Sequence, residues 1–411
     1  MSTLADPPSE SFRLSMLLND TRYRSLTFQF IALMLLVAAI AYLGSNLVSN
    51  LRAAGLNISF DFLRDPAGYD INQRPIEYTS QSTHLRASIV GILNTLIVAF
   101  LACITATLFG VLAGVLRLSN NWIIARLMSV YVEAFRNVPV LIWIIIIFSI
   151  MTVSLPGPRE FRGENPTASM AFFESVAFTN RGVFIPGPNF TNPLFASAGL
   201  NWLLVLAVLV ASWFGARMLA KWATDRHEAT GIRPTTWYYS LAIWVVPVAA
   251  LLSLMGLTWE YPELRGFNFQ GGIQIRGSLI ALWFALAIYT GAFIAENVRA
   301  GIQAIPKGQT EAAASLGLRP NRIMSLVVLP QALRVIIPPL ISQYLNITKN
   351  SSLAIAVGYM DVTGTLGGIT LNQTGRAIEA ILLLMLFYLV ISLSISAVMN
   401  VYNNAVKLKE R

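Results

Sequence analysis

Charge is scarce in this sequence. Asp, Glu, Lys and Arg make up 12% of its 411 residues, about half the share usual in a soluble domain. With 55% of residues apolar, an ordinary water-soluble globule is excluded. Cysteine is nearly absent: Cys103 is the single one, so no intrachain disulfide can form. Histidine is as rare. His84 and His227 are far apart and expected in loops, which leaves no metal cluster. A phosphate-binding Gly-Lys-Ser/Thr loop is also missing. The nearest approach, 301–310, places Lys307 before Gly308 and fails the pattern. No set of residues suggests covalent catalysis.

Long apolar runs are what the chain has instead. Eight are long enough to cross a bilayer, which takes roughly 20 residues each. They lie near 27–48, 87–116, 138–155, 199–220, 236–257, 277–297, 335–359 and 377–402. The first is too long for a signal-peptide core and is read as a retained span. An even count puts both ends on one side. With the N-terminus inside, inner segments hold 18 of the 29 basic residues, among them Arg13, Arg117, Arg136, Arg299, Lys407, Lys409 and Arg411. The positive-inside rule favours that orientation. The net charge of +9 is thereby explained without a nucleic-acid partner. Outer loops 50–86 and 156–198 are long. Pro156, Pro158, Pro186, Pro188 and Pro193 lead us to expect an irregular cap in the second.

Three polar interruptions carry information. The first is 309–330. Glu311, Ala312, Ala313, Ala314 and Leu316 make about two turns of helix, Gly317 suits a left-handed C-terminal position, and Pro320 forbids continuation. So short a helix must rest on something, and its three alanines offer a surface that a partner's groove could approach. The plainer alternative is an ordinary loop. The second interruption is Lys349-Asn350-Ser351-Ser352, inside the seventh run. Counted from an expected break at Pro338-Pro339, Lys349 lies roughly 16 Å along the helix, near the bilayer middle. A lysine there costs on the order of 3 kcal/mol and usually faces a cavity or a partner. Glu379 is the candidate partner. The third is Asn94-Thr95 in the second run, either a polar lining or interhelical hydrogen-bond partners. Nearby, Gly110 and Gly114 have the spacing of a close helix contact, and Glu133 and Arg136 could pair.

The order Glu311-Ala312-Ala313, then Gly317, then Val327, Leu329 and Pro330 resembles the EAA loop of ABC-importer permeases. The family usually has Ile where this chain has Val327. Asn94-Thr95-Leu96, residues 131–139, Ala295-Glu296-Asn297-Val298-Arg299 and residues 348–353 extend the likeness to permeases of polar amino-acid importers. The enlarged layout is similar to that of general L-amino-acid importers. The resemblance implies an all-α polytopic membrane protein, about eight transmembrane helices around a MetI-like permease core. It divides the chain into 1–86 (cytoplasmic N-terminus, first span and outer loop), 87–155 (first core part), 156–276 (an insertion with two extra spans) and 277–411 (second core part with the loop 309–330).

The resemblance further implies an inner-membrane permease with both termini cytoplasmic, and coupling through Glu311, Ala312, Ala313, Gly317, Leu329 and Pro330. Its expected partners are two ATPase subunits, a second and different permease chain, a periplasmic amino-acid-binding protein and membrane lipid. The chain itself is then no enzyme and binds no cofactor or metal, ATP belonging to the partner. Lys349, Asn350, Ser351 and Ser352, with Asn94 and Thr95 beside them, become a candidate substrate path. An ammonium, an amide and hydroxyls could hold the α-carboxylate of any amino acid. Two other classes stay open: an ion-coupled secondary transporter and a membrane scaffold. The first needs intramembrane ion sites, and buried acids are few, essentially Glu379.

Overall fold

The computed structural model describes residues 21–406 except 54, 56, 164 and 165. Arg13, Lys407, Lys409 and Arg411, counted above as inner basic residues, lie outside the described residues. Residues 1–62 and 63–411 are separate compact units. The first carries helix α1, Thr21–Ala53, apolar and long enough to cross a bilayer.

The second unit holds the rest: α2 (His84–Leu116), α3 (Trp122–Asn137), α4 (Val140–Ser154), α5 (Ala198–Thr230), α6 (Trp237–Leu254), α7 (Gly277–Gln303), α8 (Lys307–Ser315), α9 (Leu329–Asn350) and α10 (Ala377–Val406). Eight stretches of the described residues satisfy the length and hydropathy of a membrane span, and they match the eight apolar runs. Their ends follow local chemistry. Thr83 caps α2 by accepting from the Arg86 amide, and Asn121 caps α3 by accepting from the Ile123 and Ile124 amides. Pro139 stands just ahead of α4, where its missing N–H costs nothing. His84 and His227 belong to α2 and α5, not to loops.

The centre of the unit is the pair α2–α7. A Cβ on Gly110 would stand 2.5 Å from the Ile294 Cβ, and one on Gly114 would stand 2.7 Å from the Ala295 carbonyl oxygen. The two glycines are there because the backbones touch. Val98, Ala102, Ala106, Leu282, Ala285 and Leu286 continue the seam, and α4 and α9 pack around it.

The stretch 156–276 departs from expectation. It contains regular strands: β1 (Ala177–Thr179), β2 (Gly182–Ile185), β3 (Gly187–Phe190), β4 (Leu257–Glu260), β5 (Glu263–Arg265), β6 (Asn268–Gln270) and β7 (Ile273–Arg276). They pair antiparallel as β1-β2-β7, β3-β4 and β5-β6. The prolines do not forbid this. Pro186 separates β2 from β3, and Pro188 lies in a two-stranded ribbon, where one side of each strand needs no partner. Ala177, Phe184 and Phe269 form a small core under the cap. The helical class stands, with a β cap added to it.

Candidate functional site

The loop 309–330 folds as its residues dictate. Helix α8 is nine residues long. Gly317 follows it at φ +76°. Its amide donates to the Ala314 carbonyl at 2.9 Å, and the Leu318 amide donates to the Ala313 carbonyl at 3.4 Å. These two bonds make a Schellman end. The alanines are not equivalent. Ala313 is buried against Ile323 and Val328, with Ile302, Ile305 and Leu318 beside it. Glu311, Ala312 and Ala314 are exposed, and Leu316 is 81% exposed. One alanine pins the helix and two stay exposed. After Pro320–Ile323 the chain passes through one π-helical turn, Met324–Val328, into α9. Leu329 and Pro330 are the exposed first residues of α9.

Helix α9 does not break at Pro338-Pro339. It runs through both to Asn350, since membrane helices tolerate proline where neighbours re-satisfy the backbone. The discontinuity comes later. At Ser351 the backbone tightens into a 3₁₀ stretch, Ser351–Val357, closed by Gly358 at φ +67°. A π-helical segment, Thr363–Thr370, then continues into Leu371–Thr374. Its levels are set by α2. The Asn94 amide donates to the Met360 carbonyl at 2.8 Å and the Gln73 carbonyl at 2.9 Å. Thr95 Oγ1 accepts from the Val362 amide at 3.1 Å, and Tyr359 donates to the Asn94 carbonyl at 3.1 Å. Thr370 bonds His84, the first residue of α2, at 3.0 Å and Tyr69 at 3.1 Å. The turn 359–362 therefore lies about ten residues along α2, roughly 15 Å from its N-terminal end, and the segment after it climbs back. Irregular backbone so deep is tolerated only where protein buries it or a cavity adjoins it.

Lys349 sits one residue before the end of α9 and is exposed. Among the described residues its ammonium has no ion pair or hydrogen bond. Glu379 is not its partner: that carboxylate, 5% exposed, pairs with Arg376 at 3.3 Å. Asn350 and Ser352 are half-buried, and Ser351 is buried with its hydroxyl on the Thr348 carbonyl. Asn94 and Thr95 are buried and hold the turn just described. Sequence reasoning overlooked Asp361, which is 0% exposed and accepts from the Gly364 amide at 2.8 Å. The pattern Asp-x-x-Gly just before a helical segment could have found it. Glu133 and Arg136 do not pair. Glu133 accepts from Asn137 at 3.4 Å, while Arg136 turns to Glu296 at 4.0 Å and over the Phe293 ring.

The family model described as "Binding-protein-dependent transport system inner membrane component" matches residues 236–408, which contain the α8 loop and the Lys349 turn. Over the full length of both chains, the sequence is 55% identical to the glutamate/glutamine/aspartate/asparagine transport system permease protein BztB of Rhodobacter capsulatus. The chain belongs to the amino-acid ABC importer permeases. It is also 42% identical to the general L-amino acid transport system permease protein AapQ of Rhizobium johnstonii, with 98% of this chain and 96% of that one covered. The likeness to both spans residues 156–276 as well as the rest of the chain. A permease is a membrane subunit and not an enzyme, and the family is one of the inner membrane. The family assignment removes the reading as a self-contained ion-coupled transporter.

Proposed function

We propose that this permease forms half of a translocation path for amino acids, with both termini in the cytoplasm. In this reading a cytoplasmic ATPase docks on α8, and ATP is bound and hydrolysed there. The carrying observation is the division of labour on α8, where Ala313 anchors inward and Glu311, Ala312, Ala314 and Leu316 stay exposed. Gly317, Leu329 and Pro330 shape the ends of the docking element. The full assembly has two ATPase subunits, a second and different permease chain, and a periplasmic binding protein that delivers substrate.

Lys349 is the proposed carboxylate-recognising group, with Asn350, Ser351 and Ser352 at the same backbone discontinuity. Asn94 and Thr95 belong to the path as the residues that fix its turn. Recognition of an α-carboxylate leaves the side chain unread, which suits a carrier of several amino acids. The names of the relatives make glutamate, glutamine, aspartate and asparagine the first substrates to try. The test is uptake into proteoliposomes holding the chain with its partner subunits. Uptake that needs both internal ATP and loaded binding protein is the expected result. Uptake driven by an ion gradient without ATP would overturn the reading.

A further inference from the structure

Where α2, α3 and α7 end on the α8 side, one carboxylate meets three guanidinium groups. Glu296 on α7 accepts from Arg117, which directly follows α2, and from Arg299 one turn along its own helix. Arg136 of α3 approaches it at 4.0 Å. Arg117 is the most enclosed of the three, its side chain only 11% exposed. Arg299 also donates to Gln303 at 2.7 Å, at the last residue of α7. On either side of Gln303, Ile302 and Ile305 pack on Ala313 of α8. At the far end of α2, Asn94 and Thr95 hold the turn 359–362 that follows the Lys349 segment. A continuous set of contacts thus runs from α8, through α7 and Glu296, to α2 and the turn.

We infer that Glu296 is a positioning residue for energy coupling: its charge clamps the ends of α2 and α3 to α7, so that displacement of α8 reaches the path. This inference rests on the reading of α8 as the docking helix. The physical reason lies in the charge balance. Among the described residues, Glu296 is the one carboxylate that ion-pairs with these three guanidinium groups. Neutralising it leaves an enclosed Arg117 without its counter-charge and three like charges facing one another. The helix ends then splay, and α8 can move without carrying α2 and α3. The apolar seam higher up, from Gly110 to Gly114, would still hold the pair together, so the permease survives while the linkage loosens.

Glu296→Gln keeps the shape and removes the charge, whereas Glu296→Asp keeps the charge and shortens the side chain. In reconstituted complex, both uptake and ATP hydrolysis stimulated by loaded binding protein are measured. For Glu296→Gln we expect ATP hydrolysis to persist and uptake per ATP hydrolysed to fall about tenfold, with Glu296→Asp within about threefold of wild type. A Glu296→Gln ratio equal to wild type, or Glu296→Asp failing while Glu296→Gln works, overturns the clamp in favour of simple packing.

A second readout needs no transport. Spin labels on Asn120→Cys and Ser315→Cys in a Cys103→Ser background report the distance from the end of α2 to α8 in the detergent-purified chain. The clamp gives one narrow distribution for wild type and Glu296→Asp and a broadened one for Glu296→Gln. An unbroadened Glu296→Gln distribution overturns the clamp whatever uptake shows. A wild type without ATP-driven uptake overturns the docking reading instead, and the distance result still judges the clamp.

Discussion

Two helix pairs in this permease are built in opposite ways. Helices α2 and α7 meet through Gly110, Gly114, Gly291 and a row of alanines, close enough that a Cβ on either α2 glycine would collide with α7. Helices α5 and α6 of the insertion also pack together, but through ordinary side chains. At Gly215 an added Cβ would stand 3.3 Å from Ile243 Cγ2, and no residue of α6 is buried. In a bilayer, apolar side chains gain nothing by leaving lipid for protein, so association depends on close packing and polar contacts. The α2–α7 pair has both, through its glycine seam and through Glu296. The contrast marks α2 and α7 as the rigid axis on which a moving part can bear, and α5 and α6 as helices whose faces are left largely to lipid.

Four substitutions test that contrast, in falling order of expected effect. Gly114→Val drives a branched side chain into the Ala295 carbonyl and Val298. Overpacking costs about 1–3 kcal/mol or more, so little folded permease should survive fluorescence-detected size exclusion. Normal levels and melting would break the claim that the seam is the axis. Lys349→Met should leave folding intact and cut uptake of acidic, neutral and basic amino acids alike. Losing a charge-assisted hydrogen bond of roughly 1.5–3 kcal/mol weakens binding about ten- to a hundredfold. Loss confined to one side-chain class would mean that Lys349 reads side chains, and unchanged uptake would make it a structural residue. Gly317→Val forces a β-branched residue to positive φ at roughly 1–2 kcal/mol. Uptake should drop several-fold while the permease still reaches the membrane, and full ATP-driven uptake would count against docking on α8. Gly215→Ala should change melting and uptake least, because Ile243 can yield by a few tenths of an ångström. A loss as large as that of Gly114→Val would erase the distinction between the two pairs.

The spans and the α8 loop were legible because they rest on local rules. Hydropathy sets the eight runs, and Gly317 and Pro320 punctuate the short helix whatever surrounds it. What the sequence did not disclose depends on distant partners. Arg136 had Glu133 within reach on its own helix, yet Glu296 on another helix takes it, alongside two more arginines. Pro338 and Pro339 looked like the break, but a helix packed by neighbours runs through them, and the true discontinuity at Ser351 has no proline to announce it. The strands of the insertion hid among prolines because pairing partners such as Gly182 and Arg276 are far apart in the chain. Of the candidate path, Lys349 was placed by counting from a break at Pro338-Pro339 that the helix does not have, so its depth was not legible. That Asn94 and Thr95 hold the turn beyond it was one of two open readings, and only the partners at Met360 and Val362 distinguish them.

The pairing of β2 with β7 has a consequence for how such a chain tolerates length. Gly182 lies beside Arg276, the residue just ahead of α7. The Asn180 amide donates to the Pro156 carbonyl at 3.0 Å, so the stretch 156–276 begins and ends at neighbouring points. Between them run α5 and α6, two helices long and apolar enough to cross the bilayer. An even number of crossings with adjoining ends leaves the sidedness of everything downstream untouched. Replacing residues 183–275 by a short bridge across the β2–β7 junction is therefore expected to keep α8 on the same side of the membrane.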